Sequence, residues 1–434
     1  MANLRPFQIV MLAIFAVLAV IALFLLSGFS PSGEKERAKY GEVEIWGTFD
    51  DSTFTQIIDD IENDDKGFEL VVYREVSAGS FHDTFINAVA EGRSPDLVIL
   101  PGTELVRERS KLIPISYETI SARNFRDTYV DGAELFARPD GIFAVPLFVD
   151  PVVLYWNRDM FAAAGLGQAP TTWEYIVNSV IGKVTKRDNQ RNILQSAIAF
   201  GEVNNVEQAK EMLLTLMMQS GSQLIYEEDG RYNVSLNKSV DTTSLPPLEA
   251  TLQFFTSFSN SNNTLYSWNR SKQNDANAFL SEDLAMYFGY GSEANGILAK
   301  NPNLNFDMAP MPQGASATVR RTYGEFYGLA IPRAAGNSNG AFAVASVLAS
   351  PQYATLLAES YDMTPVTRTA IASGTNDPFR EILYGSALVA RGWLDPNASA
   401  SKTIFENMVG DITSGRENVS AAASEAEQKI RLAF

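Results

Sequence analysis

The chain has 434 residues, 51 of them acidic and 34 basic, for a formal net charge of −17. That balance argues against nucleic acid as a partner, because neutralising phosphates needs clustered lysine and arginine. With no cysteine and a single histidine, His82, disulfides, thiolate catalysis, cysteine-based zinc sites and histidine-rich metal centres are excluded. No metal or cofactor is therefore expected, and His82 reads as a surface or helix residue. Neither a P-loop nor a dinucleotide-binding glycine fingerprint is present.

Residues 7–29 form an uncharged, strongly apolar run behind Arg5. A membrane span needs about 20 such residues, whereas the core of a signal peptide needs only about 7–15. The run therefore reads as an uncleaved single-pass anchor, with a cleaved signal peptide as the alternative. It follows a short tail, 1–6, and precedes a polar linker, 30–40. The flanking lysines and arginines specify membrane orientation only weakly.

Folded sequence begins at 41. Residues 43–47 (VEIWG) predict a strand. Thr53 and Gln56 suggest a capping box, and Phe54, Ile57, Ile58 and Ile61 recur at helical spacing behind it. Residues 68–76 predict a second strand. Phe81, Phe85, Ile86 and Val89 mark a second helix starting at Ser80, and 96–100 (DLVIL) a third strand. Strand, helix, strand, helix and strand on short links imply a parallel α/β arrangement, whose ligands sit beyond the carboxyl ends of the strands. The acidic run 59–65 (DDIENDD) lacks the spacing of an EF-hand loop and reads as a solvated helix face.

The stretch 141–176 is the most distinctive. Its apolar strand carries Pro146 and Pro151, which cannot donate ladder hydrogen bonds. Two prolines argue against a central strand of one sheet and suit a segment that leaves one sheet, crosses a hinge and enters another. Pro170, Thr171 and Glu174 then suggest a capped helix start. Further on, Val206, Ala209, Leu213, Leu216 and Met217 define an amphipathic helix. Residues 284–298 predict strand, glycine turn and helix; 305–314 predict a strand and then a loop; 323–332 predict a strand ending at proline; 400–414 and 419–433 predict the last helices.

Five of these patterns recur in one order: Trp46-Gly47-Thr48-Phe49; Ser94-Pro95-Asp96-Leu97-Val98; Ala144-Val145-Pro146 with Trp156-Asn157-Arg158-Asp159 and Pro170-Thr171-Thr172-Trp173-Glu174; FLSEDLAMYFGYG at 279–291; and Gly328-Leu329-Ala330-Ile331-Pro332. Together they resemble bacterial extracellular solute-binding proteins of ABC importers, of the maltose/oligosaccharide-binding type. Two positions depart from the family pattern. Glu282 stands where glycine is usual, and Tyr290-Gly291-Ser292 replaces a Gly-Pro-aromatic run, which weakens any assignment of maltodextrin.

The resemblance implies a two-lobed periplasmic-binding-protein-like α/β fold with discontinuous lobes, here behind one transmembrane helix. Lobe 1 would hold 41–148 and 329–366, and lobe 2 would hold 152–325 and 376–434, with crossings near 148–152, 325–329 and 366–376. It also implies an extracytoplasmic binding protein, not an enzyme, that closes two lobes over a small solute and delivers it to ABC permease subunits. A ligand-sensing ectodomain and an anchored carbohydrate-active enzyme remain open. Carbohydrate is the family's commonest ligand, but peptides, polyols and polyamines also stay open.

Binding a sugar needs aromatic faces and planar polar groups. Candidates at strand ends are Trp46, Phe49, Asp50, Ser80 and Thr103 in the first lobe, and Asp150 at the crossing, where sugar binders of the family often place a carboxylate. In the second lobe they are Asn204, Tyr290, Ser292 and Glu293, then Tyr323, Glu325 and Tyr327 near the return, with Trp393 as a cap. Bland readings stand beside them. Trp46 fits a strand core, Asp50 a helix N-terminus, and Trp393 a packed ring.

Overall fold

The computed structural model describes residues 39–238 and 245–434. The apolar run 7–29 lies outside the described residues. Among the described residues no single helix is long and apolar enough to cross a membrane.

The chain divides into two compact units. The smaller holds 39–96 and 335–344, and the larger 97–334 and 345–434. In the smaller unit, strand β1 (Val43–Gly47) leads to helix α1 (Asp51–Asp64), strand β2 (Val71–Glu75) and helix α2 (Phe81–Ala90). The strands β1 and β2 pair in parallel, Val43 opposite Val71 and Gly47 opposite Glu75. Helix α1 buries the expected stripe, Phe54, Ile57, Ile58 and Ile61. Its cap is Asp50, whose Oδ2 accepts from the Thr53 amide at 2.9 Å, one turn earlier than the Thr53–Gln56 box predicted. Asp96 fastens the unit: its carboxylate accepts from the amides of Glu44 at 3.1 Å and Asn337 at 2.8 Å.

The larger unit is built on strand β3 (Leu97–Pro101), strand β4 (Val145–Asn157), strand β5 (Ile193–Ile198), helix α3 (Ala209–Gln219), a hairpin of β6 (Leu224–Glu228) and β7 (Arg231–Ser235), helix α4 (Pro247–Ser257), strands β8 (Leu284–Tyr290), β9 (Phe306–Ala309) and β10 (Thr322–Ala330), and helices α5 (Ala398–Thr413) and α6 (Val419–Leu432). Strand order is β3-β10-β4-β8-β5, with β9 also on β4. The pairs β3–β10, β10–β4, β4–β8 and β4–β9 are antiparallel, while β8–β5 is parallel.

The two-proline run is one continuous, fully buried strand with partners on both sides, which corrects the expectation that prolines exclude it from a central position, while its change of partners from β10 to β8 and β9 after Pro151 is the passage between sheets that the prolines suggested. The missing amides fall where pairing is already irregular. Pro146 lies opposite Gly328 beside a register shift, and Pro151 is the last residue paired to β10 before β4 turns to β8 at Val152. Next to β4, Thr172 rather than Thr171 caps the following helix, accepting from the Tyr175 amide at 3.2 Å. Glu174 instead accepts from the Ala315 amide at 2.9 Å. The core of the unit is aromatic around Phe200, whose ring lies 4.9–6.4 Å from those of Trp173, Phe254, Phe255, Phe258 and Phe288. Such offset and edge-on pairs add specific attraction to burial.

Candidate functional site

In the larger unit, polar side chains gather around the middle of β4, the end of β8, the first half of β10 and the start of α3. Tyr290 closes β8 and is half-buried. The short turn behind it, Gly291–Glu293, is locked by Glu293. That carboxylate accepts from the Tyr290 amide at 2.7 Å, the Tyr287 hydroxyl at 2.5 Å and the Gln208 side chain at 3.2 Å. Gly289 is required beside it, since a Cβ there would lie 2.9 Å from both Glu293 oxygens. From the middle of β4, Asp150 accepts from the Ser292 amide at 3.1 Å and its hydroxyl at 2.5 Å. Asp150 is only 4% exposed. Burial pushes its carboxyl up to about 7, against the opposing pull of the Ser292 donors.

On β10, the half-buried Glu325 accepts from the Tyr323 hydroxyl at 3.0 Å and the Thr103 amide at 3.3 Å. Desolvation pushes it up to about 7 as well, and these neutral donors only partly offset that. Tyr327, two residues on and on the same face, is half-buried with its ring 5.4 Å from that of Phe148. The first turn of α3 contributes Lys210 and Glu211. Lys210 reaches Asp395, which is fully buried, at 3.1 Å, and its ammonium lies 5.7 Å from the Trp393 ring centroid. Burial pulls Lys210 down, but the carboxylates of Asp395 and Glu211 outweigh it and hold the ammonium above its ordinary value. Burial raises the Glu211 carboxyl, with Lys210 and Lys402 opposing. A cavity of about 360 Å³ opens beside these groups, lined among others by Glu207, Lys210, Glu211, Tyr290, Phe405 and Glu406. Tyrosine faces beside carboxylates can stack on C–H surfaces and accept from hydroxyl or amine donors.

A family model described as "Bacterial extracellular solute-binding protein" matches residues 47–355. The chain belongs to this family. Solved structures agree on the fold. The sugar-binding protein MalE from the phytopathogen Xanthomonas citri superposes with a TM-score of 0.74 at 15% identity, over 90% of this chain and 97% of that one. A cyclic alpha-maltosyl-1,6-maltose binding protein from Arthrobacter globiformis gives 0.73 at 16% identity, over 90% and 98%. A cyclo/maltodextrin-binding protein complexed with maltotetraose gives 0.72 at 16%, over 90% and 96%. No curated protein sequence matches. The solute-binding protein therefore has the two-lobed periplasmic-binding-protein-like α/β fold that its motifs imply.

Within this solute-binding protein, the larger unit holds Thr103, Tyr323 and Glu325 in one bonded group, Asp150 with Ser292 in another and Tyr290 with Glu293 in a third, with Glu325 opposite Asp150 in the strand register and Tyr327 two residues beyond Glu325. Tyr323 is buried, its amide donating to Thr215 at 3.0 Å. Trp393 is also buried, packed edge-on against Phe405. Asn204 is exposed on the loop before α3. The other four candidates lie in the smaller unit. Trp46 is 3% exposed, its indole donating to Glu44 at 2.8 Å with the Arg74 guanidinium 4.7 Å from its ring centroid. Phe49 exchanges backbone bonds with the Tyr73 hydroxyl at 3.0 and 2.9 Å. Asp50 is the α1 cap, and Ser80 is exposed ahead of α2. Sequence reasoning missed Glu207, Lys210, Glu211 and Asp395. The available signal was a charged pair, Lys210-Glu211, in the first turn of an otherwise apolar helix.

Proposed function

We propose that this chain is a membrane-anchored extracytoplasmic solute-binding protein. It captures a sugar or oligosaccharide in an interlobe cleft by closure of its lobes and hands it to the permease subunits of an ABC importer. The observation that carries the reading is the family match joined to the cluster of tyrosines and carboxylates at the end of β8 and on β10. The lobe limits 41–148 with 329–366 and 152–325 with 376–434 belong to the same proposal, as does anchoring through residues 7–29. Tethering a binding protein raises its concentration at the transporter. The chain binds and releases its solute without covalent chemistry.

The test is a thermal-shift panel of mono- and oligosaccharides on the full chain in detergent. A ligand specific to the folded state, at a thousand times its dissociation constant, stabilises by about 4 kcal/mol, and at least one sugar is expected to do so. A panel in which no sugar shifts the transition counts against the reading. Anchoring is checked by the mass of the chain recovered from membranes, which should retain residues 7–29.

A further inference from the structure

Resting on that reading, we propose that the solute is a cationic sugar, an amine-bearing saccharide whose ammonium supplies the counter-charge for Glu211 and Glu325. The cavity is lined by three carboxylates, Glu207, Glu211 and Glu406, and by two lysines, Lys210 and Lys402. Lys210 is committed to Asp395, which is fully buried and also accepts from the Ser401 hydroxyl at 2.8 Å and the Asn397 amide at 3.0 Å. Lys402 is exposed. Four carboxylates thus stand against two lysines, one of which is already paired.

Carboxylates beyond the cavity lining add to the imbalance, and Glu325 shares the electrostatic neighbourhood of Glu211 and Tyr290. Glu325 accepts hydrogen bonds from a tyrosine hydroxyl and a backbone amide, with Lys210 attracting it from a distance, Asp150 accepts from a serine amide and hydroxyl, and Glu293 from a tyrosine hydroxyl, a backbone amide and a glutamine side chain. All of these donors are neutral. Among the described residues neither Glu211 nor Glu325 forms an ion pair. Burying a carboxylate without a paired charge is expensive. A neutral polyol that covers these two groups displaces water from them and returns only neutral hydrogen bonds. A ligand ammonium returns a charge-assisted bond, roughly twice as strong as a neutral one. The half-buried faces of Tyr290 and Tyr327 favour the same sign of charge, because aromatic rings attract cations.

The experiment is titration calorimetry of the full chain in detergent with matched pairs. Glucosamine oligomers and kanamycin are each compared with their fully N-acetylated forms, alongside maltotriose and spermidine. The free-amine member of a pair is expected to bind at least about tenfold more tightly, a difference of about 1.4 kcal/mol. Glu211→Gln and Glu325→Gln, each confirmed as folded by its thermal transition, are expected to bring the two members together. Equal or tighter binding of the acetylated sugars or maltotriose overturns the cationic assignment and leaves the sugar-binding reading standing. Binding of spermidine while every sugar fails overturns both, as does silence across the panel.

Discussion

Asp150, Glu325 and Asp275 are carboxyl groups that the fold makes weaker acids. Burial is the leading cause for all three, and each is pushed up to about 7. For Asp275 the Glu207 carboxylate adds to that rise, while the Glu207 and Ala276 amides oppose it. A raised carboxyl binds its proton more tightly in the folded than in the unfolded chain. Its stabilising contribution is complete below the ordinary carboxylate range and is lost as pH rises through about 7. The melting temperature should therefore fall between about pH 5 and about pH 8, and Glu325→Gln should make that fall shallower. A flat profile by differential scanning calorimetry would show that these carboxyls are not perturbed. Lys210 tests the opposite sign of burial. Its side chain is 11% exposed and that of Asp395 0%. Lys210→Ala leaves Asp395 buried without its cation and should cost about 3 kcal/mol, read from the urea midpoint. A loss below about 1 kcal/mol would mean that the pair is solvated.

These residues were unevenly legible in the sequence. Tyr290 stood out as an aromatic residue closing an apolar strand, and Glu325 and Asp150 as carboxylates set inside apolar strands. Nothing local distinguished them from Glu293, whose carboxylate proves to be tied up inside its own turn. Trp46 shows the same limit. A tryptophan on a half-buried strand reads alike as core or as ligand face until its neighbours are known, and here it packs against Arg74 with its N–H bonded to Glu44.

At the scale of elements, periodicity carried furthest. Helix α1 buries the four residues its spacing marks, and β8, the turn after it and the helix Ala294–Lys300 follow the strand–glycine–helix pattern. Caps were misplaced by a residue or a turn, because Asp50 and Thr172 compete with neighbouring hydroxyls that have equal intrinsic capacity. The prolines of β4 misled because their effect depends on the register of the partner strands, which one strand's sequence does not contain. The hairpin β6–β7 went unread for a related reason: Arg109, over a hundred residues earlier, holds it. One Arg109 nitrogen bonds Glu227 at 2.9 Å and the Tyr232 hydroxyl at 2.8 Å, and the other bonds Asp140 at 2.6 Å. The Glu227 side chain is 3% exposed. Arg109→Ala should leave that carboxylate unpaired and speed amide exchange across 224–235 by about tenfold or more. Unchanged exchange there would show that the hairpin stands without its arginine. At the end of β5, Gly201 has φ +93°, and a Cβ would lie 2.7 Å from the backbone nitrogen of Ser259. Gly201→Ala combines strain with a backbone clash and should cost about 2 kcal/mol or more by chemical denaturation. A neutral outcome would mean that the loop relaxes freely.

For the whole molecule, the order of motifs was more informative than any one of them. Five weak patterns in sequence implied a family whose model spans 47–355, and solved proteins at 15–16% identity share the fold. The chemistry of the solute was not legible at this scale, because net charge does not say where charge is placed. Only the folded chain shows carboxylates of α3 and β10 in the same electrostatic neighbourhood as Tyr290. The most direct measurement of the central claim is calorimetric titration of the full chain with oligosaccharides, repeated on Tyr290→Ala. The account predicts saturable binding of at least one saccharide, weakened about tenfold or more when the ring is removed. Saccharide binding that ignores Tyr290, or no saccharide binding at all, would contradict it.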